Sequence, residues 1–278
     1  MDEAARERYT AAAHASAAVV IARYSSSFTL ASRLMPRRVR RDMASVYGLV
    51  RVADEVVDGA GSAPAAQLAA LEREVEAALG YGFSTNLVVH AFADTAHRTG
   101  FGTELTRPFF ASMRADLVAA SHSAASLADY IHGSAEVVGL MCLRIYLAPS
   151  AASRYDELAP GARALGSAFQ KINFLRDLAY DAGRLGRSYF PDTDAETMTA
   201  EQFDVFVSDA EADLAAGRAS IAGLPRDVRR GVYVAADVYG ELLTRLRAAG
   251  LAGVRAERVR IPAWRKLGLA ARTAAMPR

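Results

Sequence analysis

The chain has 278 residues, of which 52% are hydrophobic, and its 33 Lys and Arg against 31 Asp and Glu leave a formal net charge of +2. This length and apolar content suit one sizeable core, while the near-neutral charge gives no general case for nucleic-acid binding. The single cysteine, Cys142, excludes an intramolecular disulfide and a cysteine-based zinc site, and is consistent with a reducing cytoplasm.

Apolar residues recur at spacings of three and four along eight stretches, and no stretch shows sustained alternation with a period of two. The chain is therefore predicted to be all-α. The breaks between stretches are short enough to be helix connections, which predicts one domain over residues 1–278. No apolar run reaches the ~18 residues of a membrane-spanning helix, so we expect a cytoplasmic protein. The predicted helices are 11–22, 39–57, 65–79, 103–120, 126–147, 161–182, 200–221 and 226–249.

The predicted helix at 39–57 carries a polar stripe. Tyr47, Arg51, Asp54 and Asp58 follow one another at steps of four, three and four, which places all four side chains on one helix face. The two carboxylates lie ~6 Å apart along the helix axis, and like charges at this spacing repel each other. We call these residues the first polar stripe, and infer that a cation offsets the repulsion.

A second polar stripe lies on the predicted helix at 161–182, where Gln170, Asn173, Asp177 and Asp181 follow at steps of three, four and four. Hard divalent cations bind oxygen ligands, and Mg²⁺ prefers one or two carboxylates together with waters and a substrate phosphate. Two such helix faces, placed opposite each other, can hold a cluster of Mg²⁺ ions around a diphosphate. The two stripes therefore predict a Mg²⁺ site, in which Mn²⁺ can substitute.

A third acidic pair serves as an internal control. Asp209 and Asp213 repeat the four-residue spacing, but their neighbours are Ala, Glu and Ser rather than large apolar residues. Because polar side chains on a solvated face need no special partners, we interpret this pair as surface.

The C-terminal part of the chain is basic. From Arg245 onward it has a single acidic residue, Glu257, which leaves two interpretations open. The segment is either a solvated basic tail or an electrostatic contact for an anionic membrane, which would make the protein peripheral to the inner face of a membrane. The basic residues are Arg245, Arg247, Arg255, Arg258, Arg260, Arg265, Lys266, Arg272 and Arg278.

Five segments carry a set of motifs in a fixed order over nearly the whole chain. They read YSSSFTLASRLMP (24–36), YGLVRVADEVVDG (47–59), YIHGSAEVVGLMC (130–142), QKINFLRDLAYDAGRLGRSYFP (170–191) and RVRIPAWRK (258–266). With these segments the chain resembles the squalene and phytoene synthase family, and GSAEVVGLMC is most similar to the bacterial phytoene synthases.

The resemblance implies a helical bundle of the isoprenoid synthase type with a central active-site cavity. It also implies Mg²⁺-dependent, head-to-head joining of two geranylgeranyl diphosphates at their C1 ends. The product would be phytoene, formed through a cyclopropyl (prephytoene) diphosphate in carotenoid biosynthesis. No strand and GxGxxG turn of a dinucleotide fold is present, so no NADPH is expected.

Residue roles are carried over where the motifs match. Asp54, Asp58, Asn173, Asp177 and Asp181 are the expected metal site. The acidic residues of that set, together with Tyr47 and Arg51, are the expected catalytic residues. Arginine offers planar multidentate donors to a diphosphate and tyrosine a single directed one. The expected substrate-binding residues are Ser25, Phe28, Tyr47, Arg51, Gln170, Arg176, Arg187, Tyr189, Tyr239 and Arg258, with Phe28 lining the prenyl channel.

The chain departs from the family pattern at two positions. His132 stands where many members have tyrosine, and it is left out of the catalytic set because a lone helical histidine is more often packed or exposed. Glu55 follows Asp54 where many members have a second aspartate. It points about 100° away from the first polar stripe, so this departure is expected to have no effect on function. Ala44 and Ser32, near Tyr47 and Phe28, are predicted to leave room for a C20 tail.

Three alternatives stay open. The enzyme could be a squalene or dehydrosqualene synthase that uses a C15 diphosphate. It could be a cyclising terpene synthase, although this would leave the segments at 24–36 and 258–266 unexplained. It could also be a catalytically inactive assembly factor, although such members typically lose one acidic motif and both are intact here. The oligomeric state is not predicted.

Overall fold

The structure is a computed structural model that describes residues 3–59, 62–118, 121–180, 187–191, 193–194 and 196–275. Over these ranges the chain is helical and contains no strand, which confirms the all-α prediction. No helix within them combines the length and apolar character needed to cross a bilayer. The helices are α1 (Glu3–Tyr24), α2 (Ser26–Ser32), α3 (Arg37–Val57), α4 (Pro64–Tyr81), α5 (Leu87–Thr99), α6 (Thr103–Ala115), α7 (Ala124–Ile131), α8 (Val137–Leu147), α9 (Tyr155–Tyr180), α10 (Ala200–Ser220), α11 (Arg226–Ala256) and α12 (Ala263–Ala274).

The predicted helices are all present, with two corrections. The helix predicted at 126–147 is α7, a π-helical turn (His132–Glu136) and α8. The helix predicted at 103–120 is α6, which ends at Ala115 and is followed by a turn through Val118. Three further helices, α2, α5 and α12, were not predicted.

Local sequence explains where the helices begin and end. Thr199 and Gln202 form a capping box at the start of α10, since the Thr199 hydroxyl accepts from the Gln202 backbone N–H. Asn86 caps α5 by accepting from the backbone N–H groups of Val88 and Val89. Gly100 ends the same helix in the left-handed conformation, with a φ of 78°, which favours glycine.

The core consists of two large clusters of buried side chains and a small third one, formed by Ala13, Ala17 and Ala91. The first is formed by residues of α3, α4, α5, α6 and α8, with the start of α11. The second is formed by the later part of α9, by α10, by the later part of α11 and by α12. The two predicted stripes therefore stand on different clusters, because α3 belongs to the first and this part of α9 to the second.

Two glycines allow a close approach between α9 and the run that contains the π-helical turn. A Cβ atom at Gly166 would lie 2.6 Å from the Ala135 carbonyl oxygen, and one at Gly139 would lie 2.5 Å from the Ala162 carbonyl oxygen. Backbone cannot yield as a flexible side chain can, so these contacts fix the position of α9.

We therefore expect Gly166→Ala to lower the free energy of unfolding by about 1–3 kcal/mol through overpacking. Chemical denaturation monitored by circular dichroism measures this change. Gly80→Ala in α4 is the matched control, since nothing lies within 4 Å of the added methyl group. The control should keep or raise stability, because alanine favours helix over glycine. Equal stability of wild type and Gly166→Ala would contradict the packing argument.

Candidate active site

The first polar stripe lies on α3 as predicted. Arg51 lies beside Asp54, with 3.9 Å between Nη1 and Oδ2. Its Nε donates to Glu55 Oε1 at 3.1 Å, so Glu55 contacts a residue of the stripe, and the expectation that Glu55 has no effect on function stays a prediction. Asp58 accepts a hydrogen bond from Arg187 Nη1 at 3.1 Å, and Arg187 also donates to the Val57 carbonyl.

The Asp54 carboxyl is electrostatically strained. Burial raises its pKa to about 7, the neighbouring Arg51 opposes the rise, and the carboxylates of Asp58, Asp116 and Glu55 add to it. The side chain is 36% exposed. Burial and the like charges around it both favour the protonated carboxyl, so both raise the pKa. Asp54 therefore lies where additional positive charge is needed.

The second polar stripe lies on α9 and is covered by arginines. Arg258, in the segment between α11 and α12, donates from Nε and Nη2 to the two Asp177 oxygens at 2.6 and 3.1 Å. Arg176 Nε donates to Asp177 Oδ1 at 3.0 Å. Burial alone would raise the pKa of Asp177, but the two guanidinium groups outweigh it and hold the pKa below its usual value. Asp177 is therefore ionised and fully paired.

Tyr239 of α11 connects the two stripes. Its hydroxyl is hydrogen-bonded to Asn173 of the second stripe, and it lies close enough to Tyr47 of the first to interact with it electrostatically. Its ring stacks on Phe169 with 3.9 Å between centroids. Helices α3, α9 and α11 thus converge at one place in the bundle.

Asn173 provides a test of the predicted metal site. Its Oδ1 is buried and has no hydrogen-bond partner among the described residues. Leaving a buried amide oxygen unpaired costs about 1–3 kcal/mol, so such an atom calls for a ligand. An amide oxygen beside carboxylates is a donor set that suits a hard divalent cation. The residues present therefore fit Mg²⁺.

The acidic residues of the two stripes that the structure describes do not surround a single point. Among the described residues no three His, Cys, Asp or Glu side chains form a cluster that could hold a metal ion. Asp181, the fourth member of the second stripe, lies outside the described residues. Asp58 and Asp177 are both turned to arginines, as given above, and binding a cation requires these ion pairs to open.

The start of α2 covers the Tyr47 side of the site. Ser25 caps α2 by accepting from the Phe28 backbone N–H at 3.2 Å, and the Ser25 side chain is hydrogen-bonded to Tyr47. The Phe28 ring lies 6.0 Å from the Tyr47 ring between centroids. Burial raises the pKa of Tyr47 to about 12, although Arg51 opposes this, so its hydroxyl stays protonated at neutral pH. Tyr47 is therefore a hydrogen-bond donor.

Asp116 is the site residue that the sequence analysis missed. It follows α6 directly, and its two oxygens accept from two tyrosines, Oδ2 from Tyr130 at 2.7 Å and Oδ1 from Tyr189 at 3.0 Å. Burial raises its pKa against these hydrogen bonds and against the charge of Arg187. Tyr189 also stacks on Phe174 at 4.2 Å, so its hydroxyl is held by Asp116 rather than pointing freely at a substrate.

Several other residues can now be placed. Gln170 is half-buried on α9. His132 contacts Glu136 Oε2 at 2.9 Å and Arg163 Nη1 at 3.0 Å, and it is 39% exposed. Ala44 and Ser32 are only 2% and 3% exposed, so they contact protein in this state and their place in a prenyl channel stays a prediction.

The control pair is not simply surface. Lys171 of α9 forms ion pairs with Asp209 at 2.6 Å and Asp213 at 2.7 Å, and Ser167 donates to Asp213 at 2.6 Å. Asp209 is 55% exposed but Asp213 only 28%. The surface interpretation was therefore wrong for Asp213, because sequence neighbours do not reveal that α10 packs on α9.

The sequence and the fold are both similar to those of known proteins. The family signature described as squalene/phytoene synthase matches residues 21–265. A 15-cis-phytoene synthase from Synechococcus elongatus is 30% identical over an alignment that covers 89% of this chain and 88% of that protein. A 15-cis-phytoene synthase from a Paracoccus species is 28% identical, with coverage of 88% and 85%. The fold is similar to the crystal structure of a dehydrosqualene synthase, with a TM-score of 0.84 and 22% identity over 96% of this chain and 97% of that one.

The helical fold is that of the isoprenoid synthases, and the chain is an enzyme of the prenyltransferase type. It belongs to the squalene/phytoene synthase family, because the family signature covers most of its length. This confirms the resemblance seen in the sequence.

Proposed function

We propose that the enzyme condenses two geranylgeranyl diphosphates head to head to give phytoene, in carotenoid biosynthesis, and that it requires Mg²⁺. The observation that carries the proposal is the 30% identity to a 15-cis-phytoene synthase over nearly the full length of both chains. The two polar stripes and the unpaired Asn173 oxygen support the metal requirement.

The proposed metal ligands are Asp54 and Asp58 on one side and Asn173, Asp177 and Asp181 on the other. When bound, Mg²⁺ would neutralise the charge that develops on a departing diphosphate. Because the carboxylates and the amide come from two helices, a diphosphate can be held between them. The five residues thus fix where the first C1–O bond breaks.

The arginines are proposed to move from carboxylate to diphosphate. Arg176, Arg187 and Arg258 already lie at the acidic residues, and a guanidinium fits phosphate oxygens as well as it fits a carboxylate. Ser25, Tyr47 and Arg51 are proposed to bind a diphosphate at the α2 side, with Gln170 and Tyr239 supporting the second stripe. Phe28 is proposed to line the prenyl channel.

The chemistry then needs two ionisations and two proton losses. The first allylic cation is attacked by the 2,3 double bond of the second substrate, and loss of a proton closes a cyclopropane that keeps one diphosphate. Ionisation of this intermediate, rearrangement to the 1,1′ bond and a second proton loss give the hydrocarbon. Phe174, Tyr130 and Tyr189 form an aromatic wall, and aromatic faces stabilise cations by about 0.5–2 kcal/mol.

We also propose that the chain forms one catalytic domain. The helices that meet at Tyr239, namely α3, α9 and α11, come from the first, middle and last thirds of the sequence. Cutting the chain between them would divide the site.

The test is a product assay with purified protein and either the C20 or the C15 diphosphate, with and without NADPH. We expect phytoene from the C20 substrate with Mg²⁺ alone, and no product after chelation with EDTA. Mn²⁺ should restore activity after EDTA. Preference for the C15 substrate, or a hydrocarbon formed only with NADPH, would identify a squalene-type synthase instead.

A further inference from the structure

Helix α12 has one face that packs on the protein and one that does not. Leu269 and Ala270 are 5% and 8% exposed and belong to the second core cluster. Thr273 is fully buried, and its hydroxyl donates to Asp237 of α11 at 2.8 Å. These contacts fix the rotation of α12 about its own axis.

The opposite face of α12 presents large apolar side chains to solvent. Trp264 is 70% exposed and Leu267 is 58% exposed, and Leu267 follows Trp264 by three positions on the helix, so they lie side by side. Ala271, on the same face, is also exposed. A tryptophan and a leucine left together in water are unusual on a surface without a partner.

Basic side chains flank this apolar face. Arg260 and Arg272 are exposed before and near the end of α12. Arg265 is exposed but forms an ion pair with Glu241 at 3.2 Å. Because Arg260 and Arg272 are exposed beside this apolar face, the surface is complementary to anionic groups.

Helix α12 also lies next to the candidate active site. Arg258, which pairs with Asp177, precedes α12 by five residues. Lys266 on α12 has its pKa lowered by burial and by the nearby Arg176 of α9. A surface bound at α12 is therefore close to the second polar stripe.

We propose that the α12 face, formed by Arg260, Trp264, Leu267, Ala271 and Arg272, docks on the surface of an anionic lipid bilayer. Tryptophan prefers the membrane interface, and arginine is attracted by anionic headgroups. A helix with this pattern lies in the plane of the interface. A second copy of the chain fits less well, because a stable dimer buries about 800 Å² per partner, more than two large side chains supply.

The chain contains a built-in reporter for this contact, since Trp264 is its only tryptophan. With vesicles of phosphatidylglycerol and phosphatidylcholine we expect the tryptophan emission to shift to the blue and the protein to co-sediment. With pure phosphatidylcholine vesicles we expect binding at least about tenfold weaker, and salt should release the protein from anionic vesicles. No substrate is needed, so the result is independent of the proposed reaction.

Two variants and a control sharpen the test. Leu267→Ser should weaken vesicle binding, and the double variant Arg260→Glu, Arg272→Glu should weaken it by at least about tenfold. Val205→Ser on α10 is the control, because Val205 is also apolar and 65% exposed but lies on another helix. It should bind vesicles as wild type does, and all variants should unfold at the wild-type temperature.

The proposal is overturned by any of three results. One is an unchanged emission spectrum with anionic vesicles. Another is equal binding of the control and the α12 variants. The third is a blue shift that appears with rising protein concentration in the absence of lipid, together with a dimer in light scattering, which would assign the face to a second copy.

Discussion

Replacing Asp54 with asparagine is expected to reduce turnover by about a thousandfold, which corresponds to ~4 kcal/mol of lost charge stabilisation. Asp54 has the carboxylates of Asp58, Asp116 and Glu55 as neighbours against one guanidinium, that of Arg51, so a bound cation would stabilise its charge. Asparagine keeps the shape but offers a neutral oxygen. Single-turnover assays with saturating Mg²⁺ and the C20 diphosphate measure the effect.

The same substitution should not destabilise the fold. The Asp54 carboxyl has a pKa of about 7 in the folded chain against an ordinary value of 3.8, so between these pH values the folded state holds a proton that the unfolded state has released. Stability therefore falls as pH rises through this window, and the deficit persists above pH 7. Asparagine carries no such cost, so Asp54→Asn should unfold at the same or a higher temperature at pH 8. Solvent around the partly exposed side chain keeps the gain small.

Asp177→Asn should lose turnover to a similar extent but behave oppositely in stability. Its pKa is lowered, so its contribution is present at neutral pH and is lost as pH falls. Removing the charge takes away the carboxylate to which Arg176 and Arg258 both donate and should cost about 1–3 kcal/mol. Asp209→Asn is the control, and turnover should stay within about twofold because Lys171 keeps Asp213. Near wild-type turnover in Asp54→Asn would refute the metal-site assignment.

The second large effect is expected at Asp116. Asp116→Asn should lower turnover by about 10–100-fold, because asparagine has one acceptor oxygen where two tyrosine hydroxyls now donate, so one of them loses its partner. Arg187 would also lose a neighbouring negative charge. The loss should appear in kcat more than in KM, since the aromatic wall is displaced rather than removed.

Tyr130→Phe and Tyr189→Phe separate the two hydrogen bonds, and each should give a smaller loss than Asp116→Asn. Asp129→Asn is the matched control, because Asp129 is an exposed aspartate next to Tyr130 in sequence. Thermal unfolding of each variant shows whether the fold is intact. If Asp116→Asn and Asp129→Asn had equal activity, Asp116 would have no role in positioning the site.

The sequence predicted the fold class well but missed three helices for identifiable reasons. Helix α2 has seven residues, too few to show two turns of apolar periodicity. In α5, buried positions include His90, Thr95 and Thr99 as well as apolar residues, so no single stripe stands out. Helix α12 lies in a segment where the number of arginines conceals the short buried face of Leu269, Ala270 and Thr273.

Within the candidate site, residues that share a helix were predictable and residues that converge from afar were not. The stripes on α3 and α9 follow directly from a period of 3.6 residues. Asp116 reaches its partners across 14 and 73 residues of sequence, and no local pattern marks it. Arg176 and Arg258 were each predicted as site residues. That both contact the Asp177 carboxylate depends on how α9 packs against the segment before α12, which the sequence does not show.

The arginines at the acidic stripes also have a consequence for how the proposed ligands would bind. Asp58 is paired with Arg187, and Asp177 is paired with Arg176 and Arg258. A bare divalent ion would have to displace a guanidinium and leave it unpaired, and a bare diphosphate would meet repelling carboxylates. A metal–diphosphate complex supplies both charges, so each ion pair exchanges one partner and none is lost. We therefore expect the proposed metal and diphosphate to bind cooperatively, each raising the affinity for the other by the same factor.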